Sequence, residues 1–308
     1  MHHSQAFNLA ILSKFPFPEL ISHIPVTPDV RINYGSLPAR GLNTVLKQGA
    51  FFQLNDKEMW LNIPKIARFL IVDGKEIIID RCEDIDEATL RKFILDSCFK
   101  ALLSQKYLFA VQGSVIKIGS YAVSFIAPSG FGKSTLSSLF LKKGYSILSD
   151  EICAIDDDLN VLPSYPEISL WATVAQQLGI DVSTLKKIRP NLDKYAINIR
   201  EQFHATPLPI KIIYHLNYQK NNTLKVSPLS EKEKIEFLQN QLFNCPYVSL
   251  SKHKEIVEKS QAIAHQVEVI HLECPRWDFS MNEMGHLLSS VFDEIEVDLL
   301  SRGVTNAA

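Results

Sequence analysis

An α/β fold organised around a phosphate-binding loop is predicted by three adjacent features of the sequence. Residues 121–126 are apolar and rich in strand formers. The run Ala127-Pro128-Ser129-Gly130-Phe131-Gly132-Lys133-Ser134-Thr135 follows directly, and residues 136–141 then carry the apolar spacing of a helix. A loop in that setting turns successive backbone N–H groups inward at a helix N-terminus, where partial positive charge favours a polyphosphate. Lys133 is placed to reach the β- and γ-phosphates and the Ser134 hydroxyl to ligate Mg²⁺. Ser129, Gly130, Phe131, Gly132 and Thr135 complete the cradle. The usual pattern starts on Gly, whereas this chain has Ala127; Gly130 and Gly132 remain for close backbone approach.

The chain has 308 residues, which suggests about two domains: a small N-terminal α/β module over 1–85 and the nucleotide-binding domain over 86–308. With 46% hydrophobic and 21% charged residues it reads as a folded soluble protein. The net charge of −2 offers no electrostatic attraction to nucleic acid or a membrane surface. No apolar run approaches the roughly 20 residues that span a bilayer. The start, Met1-His2-His3-Ser4-Gln5, lacks the basic and apolar regions of a secretory signal, so a cytoplasmic location is expected. Cys82, Cys98, Cys153, Cys245 and Cys274 stand singly, without metal-cage or disulfide spacing, and read as incidental thiols.

In the N-terminal module, strands are expected at 59–63 and 67–72, with Asp73-Gly74 turning the chain into a third at 76–80. Asp84, Asp86 and Glu87 then enrich the start of a helix whose apolar stripe is Leu90, Phe93, Ile94 and Phe99. Two short strands are expected at 108–111 and 114–118, with Gly119-Ser120 turning into the strand at 121–126. Beyond the loop, Lys142-Lys143-Gly144 supplies the cations and Gly that suit a helix C-terminus. Residues 145–149 form the next strand and Asp150-Glu151 its end. This βαβ unit predicts parallel strands and a right-handed crossover, with Asp150 beside the loop. Asp156-Asp157-Asp158 reads as a solvated turn between strands 152–155 and 160–162. A strand at 210–216, a helix at 231–243, a strand at 266–272 and a closing helix at 281–292 complete the pattern.

Phosphoryl transfer needs a metal and a group that handles the acceptor's proton. Side chains alternate along a strand, so one acid of the pair is expected to face the phosphates and the other to turn aside. Asp150 is taken as the facing one, acting as base or outer metal ligand. Glu151 takes the metal role or a structural ion pair. A basic stretch, Lys186, Lys187 and Arg189 followed by Asn191-Leu192-Asp193-Lys194-Tyr195, is placed to fold over the γ-phosphate. Lys194 is its favoured member because a turn-borne Lys beside Asp can be oriented.

The loop, the short crossover and Ser149-Asp150-Glu151 together resemble the HPr kinase/phosphorylase family, whose corresponding strand ends in two acids. The chain is most similar to the HPr-kinase-like proteins associated with ribosomally made, modified peptides, lasso-peptide kinases among them. Tyr165-Pro166-Glu167-Ile168-Ser169-Leu170-Trp171, Asp193-Lys194 and Pro207-Leu208-Pro209 follow in the order those proteins show. The resemblance spans about residues 50 to 290. It implies a fold related to phosphoenolpyruvate carboxykinase and an ATP- and Mg²⁺-dependent transfer to a Ser or similar hydroxyl of a peptide or protein. Carried residue by residue, Lys133 and Ser134 bind phosphate and Mg²⁺, and Asp150 activates the acceptor. The family's relatives often form rings, which allows a homo-oligomer. Two positions depart from the pattern. Gln112 stands where the family has a His near the catalytic acid, and Glu151 replaces Asp. Gln cannot exchange a proton near neutral pH, so a non-catalytic nucleotide-binding module stays open, as does a kinase of small metabolites. A mechanical ATPase fits poorly, because its acidic strand lies much further from the loop.

Overall fold

The structure is a computed structural model that describes residues 1–189, 192–219, 225–243, 245–249, 251, 253–275, 293, 295 and 297–303. The expected closing helix at 281–292 lies outside the described residues, as do Pro190 and Asn191 of the basic stretch.

The N-terminal module is all β rather than α/β. Its strands are β1 (His2–Ala6), β2 (Leu9–Ser13), β3 (Ile21–Ser22), β4 (Val30–Tyr34), β5 (Lys47–Gln48), β6 (Phe52–Leu54), β7 (Glu58–Ile63), β8 (Ala67–Val72) and β9 (Glu76–Arg81). They form one nine-stranded sheet in the order β3-β1-β2-β4-β9-β8-β7-β6-β5. Period-two alternation explains this: Ala67, Phe69 and Ile71 are buried along β8, and Ile77 and Ile79 along β9. The expected Asp73-Gly74 turn is present, with φ of 49° and 64°, the left-handed pair that matches the twist of a tight hairpin.

A sheet with one apolar face needs a cover. Helix α1 (Glu87–Phe93), a π-helical turn (Ile94–Cys98) and α2 (Phe99–Gln105) supply it. Asp86 caps α1 by accepting from the Thr89 N–H at 2.8 Å. Leu90, Ile94, Phe99 and Leu102 join Phe69, Ile71 and Ile77 in one core, so this helical run packs with the sheet that precedes it. That core continues into Ala110, Ile152 and Ala154 of the second sheet.

The second sheet holds β10 (Phe109–Ile118), β11 (Tyr121–Ile126), β12 (Ser146–Ser149), β13 (Ile152–Ile155), β14 (Asn160–Leu162), β18 (Leu208–Gln219), β19 (Lys225–Pro228) and β20 (Glu268–Pro275). The two short strands expected at 108–111 and 114–118 are one strand, β10, which runs straight through Gln112-Gly113. On one side β10 pairs antiparallel with β11, and on the other with β12 and β13. Strands β11 and β12 are therefore parallel, as the βαβ reading requires, but β10 lies between them. Parallel pairing of β18 with both β11 and β20 extends the sheet.

Between β14 and β18 the chain forms β15 (Glu167–Trp171), α4 (Ala172–Gln177), β16 (Lys186–Arg189) and β17 (Leu192–Asn198). These three strands make a small antiparallel sheet in the order β15-β17-β16. Helix α3 (Lys133–Lys142), the helix after the phosphate loop, packs Leu136 and Phe140 with Val123, Phe125 and Tyr214 on one face of the second sheet. Helices α5 (Glu231–Phe243) and α6 (His253–Gln266) cover a separate core with Phe237, Leu238 and Ile263. The loop thus sits between a strand buried from Ala122 to Ile126 and a helix anchored by aromatic packing. No helix among the described residues is long and apolar enough to cross a membrane.

Candidate active site

Strand β11 ends at Ile126, and α3 begins at Lys133. Gly130 and Gly132 between them have φ of +86° and +67°, a left-handed backbone that glycine adopts without penalty. The loop curls so that the Lys133 ammonium returns across it, donating to the carbonyls of Ala127 and Pro128 at 2.9 Å each. Burial dominates at this side chain and lowers its pKa to about 8, although Glu151 and Asp150 favour the charged form.

The acids arrive by cross-strand geometry. Strands β12 and β13 are one pass along β10, interrupted at Asp150-Glu151, which lie opposite Ser114 and Gly113. A Cβ on Gly113 would come within 3.0 Å of the Cys153 Cβ and 3.1 Å of the Phe125 carbonyl oxygen, a tight approach that any larger residue could meet only by displacing its neighbours by a few tenths of an ångström. Glu151 has φ +87°, a strained value for a residue with a side chain.

Asp150 is 2% exposed and held from three directions. The Ser114 hydroxyl donates to Oδ1 at 2.6 Å, and the Ser134 hydroxyl to Oδ2 at 2.9 Å. The Ser169 N–H adds a 3.3 Å bond to Oδ2. Burial, with the Glu151 charge beside it, raises this carboxyl above its ordinary pKa, while the two hydroxyls and Lys194 oppose the rise. Glu151 goes the other way. Burial disfavours its charge, but Lys194, with Lys92 and Lys100 behind it, outweighs burial and holds the carboxyl well below the usual range. Lys194 donates to Glu151 at 3.0 Å.

A cavity of ≈ 210 Å³ opens over the loop. Ser129, Gly130, Gly132, Lys133, Ser134 and Thr135 form one side; Gln112, Glu151 and Lys194 form another, and Ser169, Leu170, Trp171, Thr173 and Val174 a third. Phe131 turns back into the core beneath α3 instead of lining the cavity. The expected order of the two acids is reversed: Asp150 is buried behind Ser134 and does not line the cavity, whereas Glu151, with its left-handed backbone breaking strand alternation, does. Lys194 lies on β17 rather than on a turn, and its orientation comes from Glu151. Asp193 instead pairs with Lys187 at 3.1 Å. Lys186 and Lys187 border a separate groove between α1 and β16, so of the basic stretch Lys194 enters the cavity. The three adjacent aspartates do form a turn: Asp156 Oδ1 accepts from the N–H groups of Asp158 and Asn160.

The donor set suits Mg²⁺, which takes hard oxygens in an octahedral shell and shares its site with waters and phosphate. Ser134 Oγ, already bonded to Asp150, and the carboxylate of Glu151 are the groups able to hold it. Among the described residues no cluster of three or more His, Cys, Asp or Glu exists that would bind a metal without such a partner.

For a polyphosphate bound at this loop, Lys133 is expected to make affinity depend on pH. Its folded pKa is depressed, so raising pH through about 8 removes the positive charge that a polyphosphate needs. Affinity for MgATP is expected to be flat from pH 6.5 to 7.5 and to fall as pH approaches 9. Titration calorimetry across that range checks it, and Lys133→Arg, charged throughout, is expected to flatten the curve.

No protein-family profile matches the sequence, and no curated protein matches it. Among solved structures, the chain resembles the Hpr(Ser) kinase/phosphatase from Coxiella burnetii at 8% identity and a TM-score of 0.30; the alignment covers 62% of this chain and 97% of that one. The functional reading therefore rests on the loop, the two acids and their partners.

Proposed function

We propose that the protein is an ATP- and Mg²⁺-dependent phosphotransferase that moves the γ-phosphate to a hydroxyl of a peptide or protein, with Ser as the acceptor side chain. The observation that carries this reading is the Ser134–Asp150 hydrogen bond at the end of the phosphate loop, with Glu151 and Lys194 facing the same cavity. A P-loop hydroxyl bonded to an aspartate is the arrangement that holds a nucleotide's Mg²⁺ in P-loop enzymes. The loop N–H groups and Lys133 bind the phosphates, and Lys194 offsets charge that develops on the transferring group.

The two acids take different tasks in this reading. A base must reach its proton by geometry first and pKa second. In this reading Glu151, on the cavity wall, is left free of the metal and accepts the proton of the acceptor hydroxyl, whereas Asp150, with both oxygens engaged, anchors the metal through Ser134. The reverse assignment, Asp150 as base, is favoured by its raised pKa and follows the resemblance. A binding module without turnover is the alternative that Gln112 supports, since it lines the cavity with Glu151 and has no side-chain group that takes up or gives up a proton near neutral pH. The test is incubation with γ-labelled ATP, Mg²⁺ and a pool of serine-containing peptides. Phosphoserine in the pool is the expected outcome; tight MgATP binding with no labelled product would replace the kinase reading with the binding module.

A further inference from the structure

The cavity has two chemical halves. The loop, Gln112, Glu151 and Lys194 are polar, while Leu170, Trp171 and Val174 present an apolar wall. A polyphosphate alone has no use for that wall, but a nucleotide carries both a charged chain and a planar ring. Leu170 and Val174 are buried, whereas Trp171 remains 44% exposed and borders the cavity. Rigid elements fix its position. It is the last residue of β15, lies directly opposite Lys194 of β17, and its extended backbone (φ −63°, ψ 145°) starts α4. Lys194 is in turn tied to Glu151. Thr173 and Val174, in the first turn of α4, meet the cavity on the same side.

We propose that Trp171 is the platform on which the base of a nucleoside triphosphate stacks, so that the site selects a nucleotide over an inorganic polyphosphate. This rests on the phosphotransfer reading for the placement of the phosphates on the loop. An aromatic face stacks on any base, each having a π-face, and the contribution is large enough to be measured in a single substitution. Discrimination is then between ligands with and without a ring, and only weakly between adenine and guanine.

The test compares dissociation constants of MgATP and Mg²⁺-tripolyphosphate for the full chain, Trp171→Ala, Trp171→Phe and Lys133→Met. The full chain is expected to bind MgATP about tenfold or more tighter than tripolyphosphate. Trp171→Ala should lose most of that advantage for MgATP and leave tripolyphosphate within about twofold, while Trp171→Phe keeps the greater part of it. Equal affinities of the full chain for the two ligands overturn the platform and leave the phosphate site standing. So does a Trp171→Ala variant that binds MgATP as well as the full chain, which would assign the ring to the acceptor. If the full chain binds neither ligand, or Lys133→Met binds both as well, the phosphotransfer reading fails and the platform with it.

Discussion

Replacing Lys133 with Met is expected to weaken MgATP binding and transfer by at least about 100-fold, or ~3 kcal/mol, while leaving the fold intact. Lys133 is 6% exposed, so its ammonium meets a bound phosphate in a setting where water competes little. Without nucleotide the same burial works against its charge and lowers its pKa to about 8. Met keeps the side-chain length and removes that desolvation. It also gives up the two hydrogen bonds to Ala127 and Pro128, each contributing on the order of 1 kcal/mol. These opposing changes nearly cancel, so the melting temperature should move little while affinity collapses. Calorimetric titration beside thermal melting separates the two. Full affinity in Lys133→Met would remove this residue from the phosphate site.

The second large effect divides the acids. Asp150→Asn and Glu151→Gln are each expected to reduce transfer by about 100-fold or more, but for different reasons and with opposite effects on stability. Asp150→Asn removes the charge behind the Ser134 hydroxyl, so its loss should appear as weaker Mg²⁺-dependent nucleotide binding. Glu151→Gln should keep more of that binding and lose turnover. For stability, the sign follows from the shifted pKa values. Asp150 has a folded pKa above its unfolded value, so its ionised form costs stability as pH rises through the folded pKa, and Asn relieves that cost at pH 7. Glu151 has a folded pKa below its unfolded value; its contribution is present above the unfolded pKa and lost as pH falls through the folded one. Gln forfeits it and leaves Lys194 without its counter-charge, a loss of about 3 kcal/mol for a mostly buried pair. Melting at pH 7 should therefore show Asp150→Asn at or above wild type and Glu151→Gln below it. An Asp150→Asn variant that binds MgATP fully yet transfers nothing would instead make Asp150 the base.

The features legible in the sequence are those whose parts lie close together along the chain. The phosphate loop is contiguous with its strand and helix, and Asp150 is one crossover further on, so both could be placed without knowing any long-range pairing. Ser114 and Ser169 could not be read as partners of Asp150, because that depends on the register of β10 with the β12–β13 pass and on the return of β15. Lys92 and Lys100 bear on Glu151 from a helical run whose docking follows from the N-terminal sheet. Gln112-Gly113 looks like a turn because a glycine next to a polar residue usually ends a strand; here the glycine sits inside one, in close packing against Cys153 and Phe125 that suits a residue without a side chain. The all-β character of the N-terminal module is hard to read because its early strands are short and weakly patterned, and β3 and β5 have only two residues each. Strand alternation also failed at Glu151, where a positive φ redirects the side chain.

The most direct measurement of the central claim is the fate of the two ends of ATP in the presence of a serine-peptide pool and Mg²⁺. Label placed in the γ-phosphate should appear on peptide serine, and label in the α-phosphate should stay with the nucleotide. Chelating Mg²⁺ should stop the transfer. A protein that binds MgATP at the loop but leaves the γ-label on the nucleotide, whatever the peptide, would contradict phosphotransfer at Ser134, Asp150 and Glu151.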